Sequence, residues 1–378
     1  MRILYVINTL NGGGAERIFI DTIKLLDPKK FSVDVLVVDD YGQFRDELKK
    51  VLPYKRIIRH VKNPKIVRWW FGGWSWIMTK ILKYLPANIL HNWYVKEEYD
   101  IEIAYLEGIS TKIVSGCKNE KTVTYAWVHT DVIENPWATV QYRTAIEEQN
   151  AYKNINKIIA VSNSVKVAFE RKFQSNAEVL YNVLDDKQIL EIASKRLRKL
   201  KRDSRVAIVS VGSLYYTKGY MRLVKVVHRL LQQGFEVQLH IIGEGIDRQE
   251  IENYIKRNDL EKDIFMYGFI QEPYDLMSQA DIYVCSSYAE GFSTTITEAL
   301  LLGVPVVTTE CAGMQELLGD SEYGIITDNS DDGLYLGLKR MIKNTSLRNN
   351  YKAKAIARGR KFSSKNTLRD LEQMLLGK

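Results

Sequence analysis

Four side chains in this sequence have the type and the setting to handle an anionic ligand rich in hydroxyls. They are Glu290 and Glu298 in YVCSSYAEGFSTTITEALLLGVPVV (Tyr283–Val307), Lys218 in GSLYYTKG and His129 in AWVHTD. The stretch around the glutamates opens with the short apolar run Asp281 to Cys285, which fits a buried strand of a parallel sheet. A small-residue loop follows, then an apolar helix from about Thr294 to Leu302, stopped by Gly303 and followed by Pro305. Strand, glycine loop and helix N-terminus together make a place for anions. Gly291 lets the backbone come close to a ligand. Thr294 and Thr295 fall at the expected helix cap, where N–H groups without helical partners can meet a diphosphate. Glu298 lies about one turn into the helix. Side chains tilt toward the helix N-terminus, so its carboxylate returns over the same pocket to accept hydrogen bonds from ligand hydroxyls.

Two glutamates eight residues apart are a weak signal alone, because any charged protein contains such pairs. The whole run EGFSTTITEALLLGVPVV says more. It resembles the acidic donor-site motif of the retaining, nucleotide-sugar-dependent glycosyltransferases of family 4, in the form found in bacterial surface-polysaccharide synthesis. The resemblance implies the GT-B fold, an α/β architecture of two Rossmann-like domains facing each other across a cleft. It also implies roles. Glu298 would bind ribose hydroxyls, and Glu290 the hydroxyls of the donor hexose. Backbone N–H groups along Phe292, Ser293, Thr294 and Thr295 would hold sugar and phosphate, while Gly243 and the Gly268–Ile270 turn would border the nucleotide. Lys218 matches the family's diphosphate lysine, and His129 its cleft histidine, which faces the donor sugar. Gly13 and Gly14, in GGGAERIF, match the first loop of the family's cleft. Glu290, Lys218 and His129 are the expected catalytic residues.

One position departs from the pattern. The family carries arginine directly after the glycine of GRLxxxKG, whereas this chain has Ser213 in GSLYYTKG. A serine donates a hydrogen bond but carries no charge, so part of the stabilisation of the departing diphosphate must come from elsewhere, for instance the 294/295 helix terminus or Arg222. No two aspartates are separated by a single residue, as a metal-binding Asp-x-Asp pair requires. Metal-free chemistry without a cofactor is therefore expected, the nucleotide-sugar being a substrate.

The elements that must place these residues alternate between strand and helix from the start, which argues for parallel α/β sheets. Ile3–Ile7, Val33–Val38, Ile101–Tyr105, Thr122–Val128, Lys157–Val161 and Glu178–Tyr181 read as strands of a first domain, 1–184, which the resemblance makes acceptor-binding. Residues 185–204 read as a linker helix whose basic run, Lys195–Arg205, is expected to be a solvated face. A second series begins with VAIVSVG (206–212) and forms the donor-binding domain, 185–361. VQLHIIGEG (237–245), IFMYGF (264–269) and VPVVTT (304–309) are its further strands. A last helix, within 362–378, is expected to pack back on the first domain.

At 378 residues the chain is long enough for two cores, and 46% hydrophobic with 26% charged residues is ordinary for a soluble protein. Its three cysteines have no paired spacing, so neither a disulfide framework nor a zinc site is indicated, and a reducing cytoplasm suits them. MRILYVINTL runs straight into the first strand without a signal peptide, and no apolar run reaches the roughly 20 residues that cross a bilayer. The formal charge of +8 is concentrated in residues 48–96, which hold no acidic residue but many lysines and arginines, with Trp69, Trp70, Trp74, Trp76 and Trp93 among them. That combination suits an anionic membrane surface and a peripheral site on the inner face of the cell membrane, the alternative being an aromatic subdomain core with solvated lysines. No nucleic-acid-binding module is recognisable. A transferase acting on a lipid-linked saccharide is the expected function. The alternatives are a GT-B sugar-nucleotide epimerase or a non-catalytic partner subunit.

Overall fold

The computed structural model describes residues 1–59 and 77–377, so Trp69, Trp70, Trp74 and Trp76 lie outside the described residues. The chain forms two units, Met1–Tyr181 with Leu368–Lys378, and Asn182–Thr367.

The first unit is built on seven parallel strands: β1 (Arg2–Ile7), β2 (Ser32–Asp40), β3 (Lys55–Arg59), β4 (Ile101–Ala104), β5 (Val123–Val128), β6 (Lys157–Ala160) and β7 (Glu178–Val179). Their spatial order is β3-β2-β1-β4-β5-β6-β7. The second unit has six: β8 (Val206–Val211), β9 (Val237–Ile242), β10 (Ile264–Met266), β11 (Ile282–Cys285), β12 (Val306–Thr309) and β13 (Ile325–Thr327), in the order β10-β9-β8-β11-β12-β13. Both sheets are of the Rossmann type, and in both the order reverses at one place, between β1 and β4 and between β8 and β11. Ligands of such sheets bind outside the carboxyl ends of the strands at that switch point.

The strands read as continuous apolar runs because helices cover both faces. Ile208, Val209, Leu239, Ile241, Val284 and Val307 are fully buried. On one face lies the helix Tyr220–Gln232, which turns Leu223, Val224, Val227 and Leu230 inward at helical spacing.

The basic run after residue 195 is largely exposed, as expected of a solvated face, but it is not helical and three of its arginines are paired. The helix there, Asp186–Lys195, ends at Arg196, which adopts the left-handed conformation of a C-cap (φ 45°). Beyond it, Arg198 pairs with Asp275 at 2.7 Å, Arg202 with Asp281 at 3.0 Å, and Arg205 with Asp263. Three of its cations are thus paired with carboxylates near β10 and β11, while Arg196, Lys199 and Lys201 are exposed. Sequence spacing cannot show those partners, because they lie some sixty to eighty residues away.

The last helix, Ser364–Leu375, begins in the second unit, where Ser364 donates its N–H to Asp186 at 3.1 Å. From Leu368 onward the chain belongs to the first unit. There Lys30 pairs with Glu372 at 2.6 Å and the Tyr125 hydroxyl reaches the Met374 carbonyl at 3.4 Å. Leu371 is 1% exposed and Leu375 is similarly buried. Leu371→Ala should cost about 2–5 kcal/mol of stability, the range for truncating a core leucine. Denaturant unfolding measures it, and a loss below about 1 kcal/mol would show that this helix does not complete the core.

Candidate active site

After β8 the chain runs through Gly212–Gly219, with a short 3-10 turn at Tyr216–Lys218, and after β11 through Ser286–Ser293. These two loops flank the switch point of the second sheet, and they are joined. Tyr288 donates its N–H to the Thr217 carbonyl at 2.8 Å, and the Ser286 hydroxyl bonds the Lys218 carbonyl at 3.0 Å. The approach is so close that a Cβ on Gly219 would lie 2.1 Å from the Ser286 carbonyl oxygen. Only glycine fits there.

Lys218 and Glu290, taken from these separate loops, form a bidentate pair. Nζ lies 2.7 Å from Oε1 and 2.8 Å from Oε2, with side chains 34% and 11% exposed. The Ser287 hydroxyl adds a bond to Oε1 at 2.6 Å, and the Cys285 thiol lies 3.8 Å from the same oxygen. Burial pulls the Lys218 pKa down, but Glu290 more than offsets it and the net shift is upward. The ammonium is thus kept charged in a half-enclosed position, the condition in which it best stabilises a developing anion.

Arg222 does not stand in for the missing arginine. It is 3% exposed, and it donates to the carbonyls of Ser286 and Ser287, each at 2.8 Å, and to Asn329 Oδ1 at 2.7 Å. Its guanidinium also lies 3.9 Å from the centre of the Tyr288 ring, which stacks on Tyr216. It fastens the 286–290 loop. Ser213 is half-buried, its carbonyl accepting from Tyr215 N–H at 2.9 Å.

The helix Thr294–Leu301 is capped by Ser293, one residue earlier than the expected threonines. The serine hydroxyl accepts from Ile296 N–H at 3.4 Å, while Thr294 and Thr295 are the first helical residues. Thr295 Oγ1 is instead the partner of the Tyr283 hydroxyl at 2.6 Å. Glu298 is 4% exposed, and the hydroxyl of Tyr274 donates to its Oε1 at 3.4 Å. Phe292 is buried with its ring edge-on to Phe362 at 5.7 Å. Gly243 ends β9 with its N–H on the Gly268 carbonyl at 2.8 Å, and a Cβ there would lie 1.8 Å from the Gly212 oxygen. Gly243 is therefore needed to close the strand ends together, with or without a nucleotide. Ile270 is half-buried in the turn that follows.

His129, Gly13 and Gly14 belong to the first unit. Gly13 is the N-cap residue of the helix Gly14–Leu25. A Cβ on it would lie 2.3 Å from Glu16 Oε2, so the glycine makes room for a carboxylate folded over the helix start. Burial raises the pKa of that carboxylate to about 7, against the pull of its own backbone N–H and of the Thr9 hydroxyl at 3.1 Å. A carboxylate in this place favours hydroxyls as neighbours and opposes a phosphate. His129 follows β5, its ring 5.0 Å from that of Tyr105. Burial lowers its pKa to about 4, outweighing a hydrogen bond with the Tyr105 backbone, so the imidazole is neutral at physiological pH. Sequence reasoning missed Glu107, whose Oε1 accepts from the N–H groups of His129 (2.8 Å) and Thr130 (2.9 Å).

One group among the described residues has the make-up of a metal site. His91, Glu102 and Cys117 bring ligand atoms within 4.8 Å of one another. His91 Nε2 is already satisfied by Glu102 at 2.8 Å, and the group sits near the start of β4, away from the carboxyl ends that carry the other residues.

Residues 192–358 match the family model of the glycosyl transferases group 1. The matched stretch lies within the second unit. A diphospho-undecaprenol-linked-saccharide 4-α-N-acetylgalactosaminyltransferase of Campylobacter jejuni is 33% identical over 53% of this chain and 53% of its own. An O-antigen biosynthesis glycosyltransferase of Escherichia coli, WclY, is 26% identical over 43% and 45%. The chain thus spans about half the length of the curated relatives it matches. Over its full length it is similar to HepE of Anabaena, solved with UDP and glucose, at a TM-score of 0.79 and 19% identity, covering 100% of both chains. The fold is GT-B, with two Rossmann-like units.

The matched stretch contains Lys218, Glu290, Ser293 and Glu298 but neither His129 nor the glycines of the first loop. Because Glu290 holds Lys218, any anion that binds this ammonium must compete with that carboxylate. Glu290→Gln should therefore leave UDP affinity equal or tighter while lowering turnover. Lys218→Ala should lower turnover by about 10²–10³, the usual cost of one charge-stabilising donor. Calorimetry with UDP and steady-state kinetics separate the two. Clearly weaker UDP binding by Glu290→Gln would show that the ion pair does not mask the lysine.

Proposed function

We propose that this protein is a retaining, metal-independent glycosyltransferase. It moves a hexose or N-acetylhexosamine from a UDP-sugar to a lipid-linked saccharide in capsule, exopolysaccharide or O-antigen synthesis. The observation that carries this reading is the Lys218–Glu290 pair at the switch point of the second sheet, beside a helix N-terminus. As the bond to the donor sugar breaks, charge grows on the diphosphate. Lys218 and the N–H groups of the 294–301 helix are positive and already oriented for it. Glu290, released from the lysine, accepts hydroxyls of the hexose, and Glu298 those of the ribose. The first unit binds the acceptor, and its His129 takes part in the transfer as a neutral hydrogen-bonding group.

Supporting the donor is the fold neighbour solved with UDP and glucose. Supporting the acceptor is the Campylobacter relative, whose name specifies a diphospho-undecaprenol-linked substrate and an α linkage, and the Escherichia relative named for O-antigen biosynthesis. An α-linked nucleotide sugar giving an α product keeps its configuration, which is retention.

The test is a panel of UDP-glucose, UDP-galactose, UDP-N-acetylglucosamine and UDP-N-acetylgalactosamine without acceptor. Slow release of UDP and free sugar from one of them, unchanged by EDTA, is expected. Isomerised donor would point to an epimerase, no reaction at all to a non-catalytic subunit, and a strict need for Mg²⁺ or Mn²⁺ would overturn the metal-free chemistry.

Membrane contact through residues 48–96 is part of the proposal. No helix among the described residues is long and apolar enough to cross a membrane. The described part of the segment exposes Tyr84 (55%) and Trp93 (54%) near Lys80, Lys83 and Lys96. Indole and phenol rings settle at the headgroup level, and each nearby lysine adds about 1 kcal/mol on an anionic leaflet. In flotation, binding to anionic vesicles should exceed binding to neutral ones. It should fade as salt shortens the Debye length from about 10 Å at 0.1 M to about 3 Å at 1 M, and fall when Tyr84 and Trp93 become serine. Equal binding to both vesicle types, or none, would remove the membrane from the proposal.

A further inference from the structure

Past Val128 the chain leaves the sheet, and the N–H groups of His129 and Thr130 must find partners outside the ladder. They find a side chain. Glu107 Oε1 accepts from His129 N–H at 2.8 Å, from Thr130 N–H at 2.9 Å and from the Thr130 hydroxyl at 2.9 Å. Three donors on one oxygen fix the turn that carries the imidazole. Tyr105, two residues before Glu107, lays its ring against the imidazole at 5.0 Å. The same short segment thus holds His129 by its backbone and by its ring.

The segment is itself held in place. Asn8, just after β1, donates to the Glu107 carbonyl at 2.6 Å and accepts from Ser110 N–H at 2.9 Å. The Tyr142 hydroxyl donates to the Gly108 carbonyl at 2.9 Å. Glu107 is 1% exposed, and burial raises its pKa against the pull of the Thr130 and His129 bonds. Its second oxygen, Oε2, and His129 Nε2 are both buried without a hydrogen-bond partner among the described residues. Keeping a carboxyl so deeply buried with half of it unsatisfied is costly for the fold. If only a turn had to be closed, a serine or asparagine would do it at less cost.

We infer that Glu107 is a positioning residue for the transfer reaction, holding the 129–130 turn so that the His129 imidazole keeps one orientation at the carboxyl edge of the first sheet. The inference rests on the reading of His129 as a participant in the transfer. Glu107 touches neither substrate nor reacting atoms, and it acts through His129. Its loss should lower kcat rather than weaken ground-state binding, because a misplaced group costs most where the geometry is most demanding.

The test uses the full chain and whichever UDP-sugar of the four above it hydrolyses fastest, with Glu107→Ala, Glu107→Gln, His129→Ala and the Glu107→Ala/His129→Ala double variant. Glu107→Ala should lower kcat about 10- to 100-fold with KM nearly unchanged. Glu107→Gln should recover most of that loss, since an amide oxygen accepts the same three bonds. The double variant should be no slower than His129→Ala, because a support has nothing left to support. Effects that multiply would assign Glu107 a separate role and overturn the inference. So would full activity of Glu107→Ala beside a slow His129→Ala, which would leave the reading of His129 standing. An active His129→Ala would remove both. If Glu107→Ala does not fold, Thr130→Val takes its place, removing one of the three bonds while keeping the shape. Its smaller loss of kcat must likewise vanish in the His129→Ala background.

Discussion

Everything at the candidate site follows from the reversal of strand order between β8 and β11. Loops leaving these two strands depart to opposite sides of the sheet, so a crevice opens between them that no neighbouring strand fills. Something has to keep the two loops in register across it. Buried Arg222 does so from below by binding the Ser286 and Ser287 carbonyls, and the Lys218–Glu290 pair does so at the rim. The two contacts differ in kind. Arg222 is out of reach of solvent, and its donors are taken up by acceptors of its own unit, the Ser286 and Ser287 carbonyls and Asn329 among them, so it belongs to the fold. Lys218 is a third exposed, and an ion pair in that setting adds little net stability. A pair that adds little stability is readily exchanged for a ligand, and exchange is what a binding site requires.

The first sheet repeats the topology with different chemistry. At its switch point stand a neutral imidazole, a buried carboxyl at Glu107 and a half-neutral one at Glu16, with no lysine or arginine in the 8–16 or 105–110 segments. Such groups exchange hydrogen bonds with hydroxyls and offer a phosphate no countercharge. The loops after β8 and β11, by contrast, bring a lysine and a helix N-terminus to their switch point.

Much of this was legible in the sequence, and for a reason. Parallel strands covered on both faces are apolar throughout, so VAIVSV, VQLHII and IYVC stand out between glycine turns. Lys218 and Glu290 were legible as residue types in a motif, but their contact was not, because 72 residues separate them. The helix cap was misplaced by one residue because serine and threonine both cap well, and only the geometry at Ile296 N–H chooses Ser293. Arg222 reads as a candidate second charge for the diphosphate, yet the close approach of the 286–290 loop buries it and takes its donors. Glu107 gave no signal at all. In AYLEGIS it looks like a loop carboxylate, and nothing local tells that its partners are 22 and 23 residues away.

Ser213 is the place where family pattern and structure have to be weighed together. The loop Gly212–Gly219 brings one charged side chain to the switch point, Lys218, since Ser213 holds the arginine's position and Arg222 is committed to carbonyls. The remaining positive potential comes from the helix that Ser293 caps. Ser293 takes only Ile296 N–H, so the earliest N–H groups of that helix keep their partial charge for a ligand. A terminus of this kind supplies roughly half an elementary charge, fixed in direction and costing no rearrangement. Lysine supplies a full charge on a flexible stem, which here must first leave Glu290. A site assembled from these two parts depends on the single lysine more than a site with an arginine beside it would. It also couples the lysine's availability to the Glu290 carboxylate.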